Sequence, residues 1–152
     1  MSIAEEVTLT LENPESADAQ ALMQRADAEA HARYPSSSVH GIATRDIAAF
    51  IIARVAGKAV ACGAVRPLEP GIGEVKRMFV EPAFRCRGLA RQILRKIEAV
   101  AQGLGFTALR LETGTTHPEA ILLYESAGFL RISRFGEYTD DPFSVCFEKP
   151  LK

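Results

Sequence analysis

Eight residues, Glu81 to Gly88, separate an apolar strand from a long amphipathic helix, and none of them is a Ser, Thr, Asp or Asn that would cap the helix. The helix is read from Leu89, Ile93, Leu94, Ile97, Val100 and Ala101 at 3.6-residue spacing, ending at Gly103 or Gly105. A helix start normally recruits a side-chain oxygen for its orphan N–H groups. Here those groups stay open at the positive end of the helix dipole, beside Arg85, Arg87 and Arg91, which is the arrangement that binds a phosphate. Gly88 and Ala90 put little side chain in the way of such an anion. The alternative is a plain strand-to-helix turn with solvated arginines. The stretch matches neither GxxxxGK(S/T) nor GxGxxG, so nucleotide hydrolysis and dinucleotide binding of the doubly wound kind lose support.

Around this turn the chain reads as a mixed α/β protein. Glu6 to Glu12 alternates with period two as a first strand, and Ser16 caps a helix that ends near Tyr34-Pro35. Thr44 or Asp46 caps a short second helix, Ile47 to Phe50. Three adjacent antiparallel strands follow, Phe50 to Val55, Ala59 to Leu68 and Glu74 to Val80, with turns at Gly57-Lys58 and Glu69 to Gly73. After the long helix come a strand (Thr107 to Glu112), a helix (Pro118 to Ser126, stopped by Gly128) and two last strands (Phe129 to Phe135, Phe143 to Glu148). No repeat interrupts the pattern.

At 152 residues, one domain over 1–152 is expected. A formal net charge of −1 gives no bulk field to gather nucleic acid or anionic lipid. Cys62, Cys86 and Cys146 are odd in number and widely spaced, so neither a disulfide framework nor a metal site is expected. MSIAEEVTLT lacks the basic and apolar regions of a leader, and no apolar run approaches the ~20 residues of a membrane span. A cytoplasmic protein is expected.

"GEVKRMFVEPAFRCRGLARQIL" resembles the acetyl-CoA-binding motif of the GNAT superfamily of N-acetyltransferases, in which a strand is followed by Arg or Gln, two residues, Gly, one residue, and Gly or Ala; Arg85, Gly88 and Ala90 fill it. "HPEAILLYESAGF" is similar to the second family motif, with Ala120, Tyr124, Gly128 and Phe129 in the usual places. The two motifs in order, with the element order above, extend the resemblance over roughly Val7 to Leu151. It implies an acyl-CoA N-acyltransferase fold, a mixed sheet of about seven strands with flanking helices, whose strands 74–80 and 107–112 splay apart. It assigns Met78, Phe79 and Val80 to the pantetheine and acetyl group of acetyl-CoA. Arg85, Cys86, Arg87, Gly88, Leu89 and Ala90 go to the pyrophosphate, with Arg91 as a further phosphate contact. Many family members carry Asn where this chain has His117, which is either a coenzyme contact or only a helix-opening residue before Pro118.

Acetylating an amine requires removing its proton, polarising the thioester carbonyl and protonating the departing thiolate. Glu74 resembles the general-base glutamate of family members. With period-two alternation it shares a face with Lys76, Met78 and Val80; the alternative is a solvent-facing charge pair. Tyr124 stands where the family tyrosine protonates the coenzyme sulfur, the alternative being a core aromatic. Cys86 as nucleophile is set aside, because it lies where the pyrophosphate sits and has no His beside it. Direct transfer in a ternary complex is expected.

The resemblance implies that acceptor recognition falls to residues 31–44 and 134–144, where Tyr34, His40 and Tyr138 are candidate contacts. A small or amino-acid-like primary amine is the expected acceptor. The alternatives are a protein lysine or N-terminus, or a non-catalytic acetyl-CoA sensor. The resemblance also allows a homodimer through the final strands. No nucleic-acid or membrane partner is expected.

Overall fold

The computed structural model describes residues 6–152; the N-terminal residues 1–5, part of the stretch read above for a leader, lie outside them. Seven strands form one sheet in the order β1-β2-β3-β4-β5-β7-β6. The elements are β1 (Val7–Leu11), α1 (Ala17–Arg33), β2 (Ala49–Val55), β3 (Lys58–Glu69), β4 (Ile72–Val80), α2 (Leu89–Gly103), β5 (Ala108–Gly114), α3 (Pro118–Ser126), β6 (Leu130–Ile132) and β7 (Ser144–Pro150). All neighbouring pairs are antiparallel except β4–β5. Among the described residues no helix is long and apolar enough to cross a membrane.

Both faces of the sheet are covered. On one, α2 buries Leu89, Ile93, Leu94, Ile97 and Ala101 against β2, β3 and β4, and α3 adds Tyr124 to the same core. Burial of each large aliphatic side chain stabilises the fold by about 1.5–3 kcal/mol. On the other face Ala19, Leu22 and Met23 of α1 pack on Phe50, Ile52, Cys62, Ala64 and Phe79. Ser16 caps α1, its hydroxyl accepting from the Ala19 N–H at 3.2 Å. A row of ion pairs then ties α1 to β4 and the turn beyond it: Arg25 with Glu81, Asp27 with Arg77, Glu29 with Arg85.

Two expectations are corrected. The helix at Ile47–Phe50 does not form: a single turn spans Thr44–Asp46, the Ala48 N–H donates to the Val65 carbonyl, and β2 begins at Ala49. Four residues gain at most one helical hydrogen bond for a costly nucleus, whereas Phe50, Ile51 and Ile52 are buried on both faces of a strand.

The second correction concerns the faces of β4. Cys62 pairs with Phe79 and Ala64 with Lys76, so Arg77 and Met78 together oppose Gly63. This is a β-bulge, with Arg77 at φ +61°. The extra residue reverses the alternation. Val75, Met78 and Val80 pack towards α2, while Phe79 joins the α1 core and Lys76 shares its face. Glu74 and Lys76 therefore do not share a face with Met78 and Val80. Gly63 makes room for the bulge, since a Cβ there would lie 2.6 Å from Ile93 Cγ2 and 2.7 Å from Met78 Sδ.

Candidate active site

At the start of α2 the backbone does what the missing cap suggested. Gly88, the residue before the helix, is left-handed at φ +79°, and among the described residues no side chain caps the helix start. No acidic residue occupies that turn either. Cys86 is also left-handed, at φ +64°, and exposed. Arg85 is steadied by the Val80 carbonyl at 2.9 Å, Arg87 lies over the Phe84 ring, and Arg91 donates to Ser126 at 2.7 Å. The result is a rim of arginines around a concave run of amides, suited to a diphosphate.

From this rim a cavity of about 670 Å³ runs into the sheet. It exists because β4 and β5 pair over three rungs only, Ile72–Ala108, Gly73–Leu109 and Glu74–Arg110, and then diverge. Beyond Glu74 each strand presents an edge to the gap, where an extended chain can lie as an added strand would. Met78, Phe79 and Val80 line the gap from β4, Thr113 and Gly114 from β5, and Ala120, Leu123 and Tyr124 from α3. Of the residues expected at the coenzyme, only Arg87 is absent from the lining; Arg85, Cys86, Gly88, Leu89, Ala90, Arg91 and His117 all contribute.

His117 plays the part of helix cap, its Nδ1 accepting from the Ala120 N–H at 3.2 Å, while it also faces the cavity. Burial and the nearby Arg33 push its pKa down, so the ring is neutral with its second nitrogen carrying the proton. Tyr124 is buried, and its hydroxyl has no hydrogen-bond partner among the described residues. Burial, with Glu112 nearby, raises its pKa and keeps it protonated.

The inner end of the cavity is polar. Tyr34, His40 and Tyr138, the expected acceptor contacts, all line it, as do Lys76 and Glu112. Tyr34 stands against Gly114 so closely that a Cβ there would overlap its hydroxyl, and that hydroxyl is buried without a hydrogen-bond partner among the described residues. His40 is held between Glu137 at 3.0 Å and Asp141 at 2.8 Å. Lys76 donates to the Tyr138 hydroxyl at 2.8 Å and to the His40 carbonyl at 3.2 Å.

Glu74 is not among the cavity-lining residues. It is fully buried behind Tyr138, accepting from the Tyr138 hydroxyl at 2.6 Å and from Arg66 Nε at 2.7 Å. Of the carboxylates on the wall, Asp27 and Glu29 are paired with Arg77 and Arg85 and Glu119 is exposed, while Glu112, on β5, accepts from the Ser144 hydroxyl at 2.7 Å. Burial raises its pKa, against the lowering pull of Ser144 and Lys76. Sequence reasoning ended a strand at Glu112 and gave it no role. The local signal is slight: a carboxylate after Leu111 on a strand that also carries Arg110 and Thr113.

With this geometry in place, comparison with known proteins is informative. The acetyltransferase (GNAT) family model matches residues 12–129. The chain is 39% identical to an IAA acetyltransferase of Azospirillum brasilense over 150 residues, covering 95% of this chain and 98% of that one. Among solved structures, a Klebsiella pneumoniae chain described as an acyl-CoA N-acyltransferase superposes with a TM-score of 0.83 at 34% identity, covering 96% of this chain and 98% of the other. A GNAT family acetyltransferase of Elizabethkingia anophelis, solved with acetyl-CoA bound, shares the fold at a TM-score of 0.74 and 18% identity, covering 95% and 98%. The uncapped helix, the splayed strands and the family match over residues 12–129 agree: the chain belongs to the GNAT family of acetyltransferases.

Proposed function

We propose that this acetyltransferase moves the acetyl group of acetyl-CoA directly to the primary amine of a small molecule. The observation that carries the reading is the single cavity joining the uncapped start of α2, through the β4–β5 gap, to the polar group of Lys76, Tyr138 and Glu112. The residues fit the coenzyme. First-turn amides of α2 with Arg85 and Arg91 suit the diphosphate, and the open edge of β4 at Met78–Val80 suits the pantetheine arm. Bound there, acetyl-CoA supplies an acyl group activated as a thioester.

Glu112 takes the amine proton. It is on the wall, its raised pKa makes it a stronger base than an ordinary carboxylate, and Ser144 fixes one of its oxygens. Glu74, expected in that role, instead positions Tyr138 and through it Lys76. Tyr124, protonated and facing the gap, donates to the departing sulfur. Tyr34, walling the inner end against Gly114, limits the acceptor to a compact molecule.

Thiol release from acetyl-CoA across a panel of small amines, peptide N-termini and lysine peptides tests the reading, with coenzyme binding followed separately by calorimetry. Turnover with small amines is the expected result. Coenzyme binding with turnover of peptides alone, or with none, overturns it.

A further inference from the structure

Lys76 has no obvious reason to be where it is. Its ammonium carries three donors, and two are used, on the Tyr138 hydroxyl and the His40 carbonyl, both uncharged acceptors. Among the described residues no carboxylate pairs with it directly. The nearby acids are otherwise engaged: Glu74 with Arg66 and Tyr138, Glu137 and Asp141 with His40. Burying a cation without an ionic partner is costly, and the third donor lies in a residue that lines the cavity.

Glu112, of opposite sign, lines the same cavity on the neighbouring strand. Asp27 and Glu29 on the same lining are already paired with Arg77 and Arg85, so a simple alkyl ammonium entering beside Tyr138 meets Glu112 and the repelling Lys76. A molecule carrying both charges close together meets a complement to each. Val39, Tyr138 and Phe143 add apolar surface to this lining, beside the polar Ser38 and His40.

Resting on the acetyltransferase reading above, we infer that the acceptor is a compact 2-amino acid with an apolar side chain, its carboxylate held by Lys76 and its amino group presented to Glu112. Tyr138 and the His40 carbonyl aim the lysine, and Glu74 and Arg66 behind them hold Tyr138 in place. Burial lowers the Lys76 pKa while Glu74, Glu137 and Glu112 raise it. A bound carboxylate adds to the raising side, so substrate binding keeps the lysine charged. Lys76 is a binding residue here and exchanges no proton with the reacting atoms.

The test uses L-leucine, L-leucinamide and 3-methylbutylamine as acceptors, and 4-methylpentanoate as an unreactive carboxylate probe, with wild type, Lys76→Met and Lys76→Arg. Calorimetry on CoA-loaded protein is expected to show 4-methylpentanoate binding to wild type, at least tenfold weaker binding to Lys76→Met, and partial recovery in Lys76→Arg. Leucine should be preferred to leucinamide by at least tenfold in kcat/KM, through KM, and Lys76→Met should erase the preference. Equal use of acid, amide and bare amine, or carboxylate binding indifferent to Lys76→Met, overturns the inference while leaving the acetyltransferase reading intact. Lysine-dependent carboxylate binding with no acetylation of any amine supports the subsite and refutes the enzyme reading instead.

Discussion

Removing the hydroxyl of Tyr124 separates catalysis from stability in a way few substitutions allow. In Tyr124→Phe the ring keeps its edge contacts with Phe129 and Phe147, whose centroids lie 6.0 and 6.3 Å away. The oxygen that leaves makes no hydrogen bond to the described residues, so the fold forfeits none. Stability should stay within about 0.5 kcal/mol of wild type, and Tm within roughly 2 °C. Catalysis should respond very differently. A positioned acid contributes about 10²–10⁴-fold, or roughly 2.7–5.5 kcal/mol of barrier. Because burial raises the phenol's pKa, the acid form persists well into alkaline pH, and the deficit should be uniform across the neutral range. The assay is thiol release at saturating acetyl-CoA and acceptor, beside calorimetric coenzyme affinity and a melting curve. An unaltered kcat in a folded variant would refute the assignment of Tyr124 as acid.

Glu112→Gln should lower kcat/KM by about 10²-fold or more. The wild-type acid limb should fall above the ordinary carboxylate range, because activity needs the ionised form and burial raises this pKa. The same shift has a stability sign: the raised folded-state pKa means wild type loses stability as pH rises through it. The variant's melting temperature should therefore gain on wild type from pH 5 to pH 7, and an unchanged difference would count against a buried charge. Gly63→Ala should cost about 1–3 kcal/mol in urea unfolding through contact with Ile93 and Met78, and a neutral result would mean the bulge can slip. Gly88→Ala meets no neighbour, only a left-handed backbone worth about 1–2 kcal/mol. Acetyl-CoA binding should weaken roughly 5–30-fold, measured by calorimetry, and undiminished affinity would detach the turn from the diphosphate.

What could be read in the chain beforehand follows how local the physics is. The α2 face, the uncapped Gly88 turn and Tyr124 four residues after Ala120 are short-range patterns, and all appear where expected. The bulge is different. Nothing in Lys76-Arg77-Met78 announces an extra residue, and the cue, an isolated glycine in the partner strand at Gly63, is one that strands use for several purposes. That single insertion turned Glu74 away from Met78 and Val80. Glu112 was hidden for another reason: the burial that raises its pKa, and the Ser144 hydroxyl on β7 that holds one of its oxygens, come together only in the finished sheet. Tyr34, His40 and Tyr138 line the cavity, but their partners come from elements distant in the chain, which no local pattern announces.

The three-rung seam between β4 and β5 leaves two half-sheets joined at one end, like a book bound along a short spine. A molecule that bridges the open pages supplies hydrogen bonds the polypeptide lacks there, so every increment in its concentration adds to resistance against unfolding by mass action. Amide exchange at residues 75–80 and 111–114 should then slow as acetyl-CoA rises, and the lifetime of the folded chain in a cell would track the supply of its own cosubstrate.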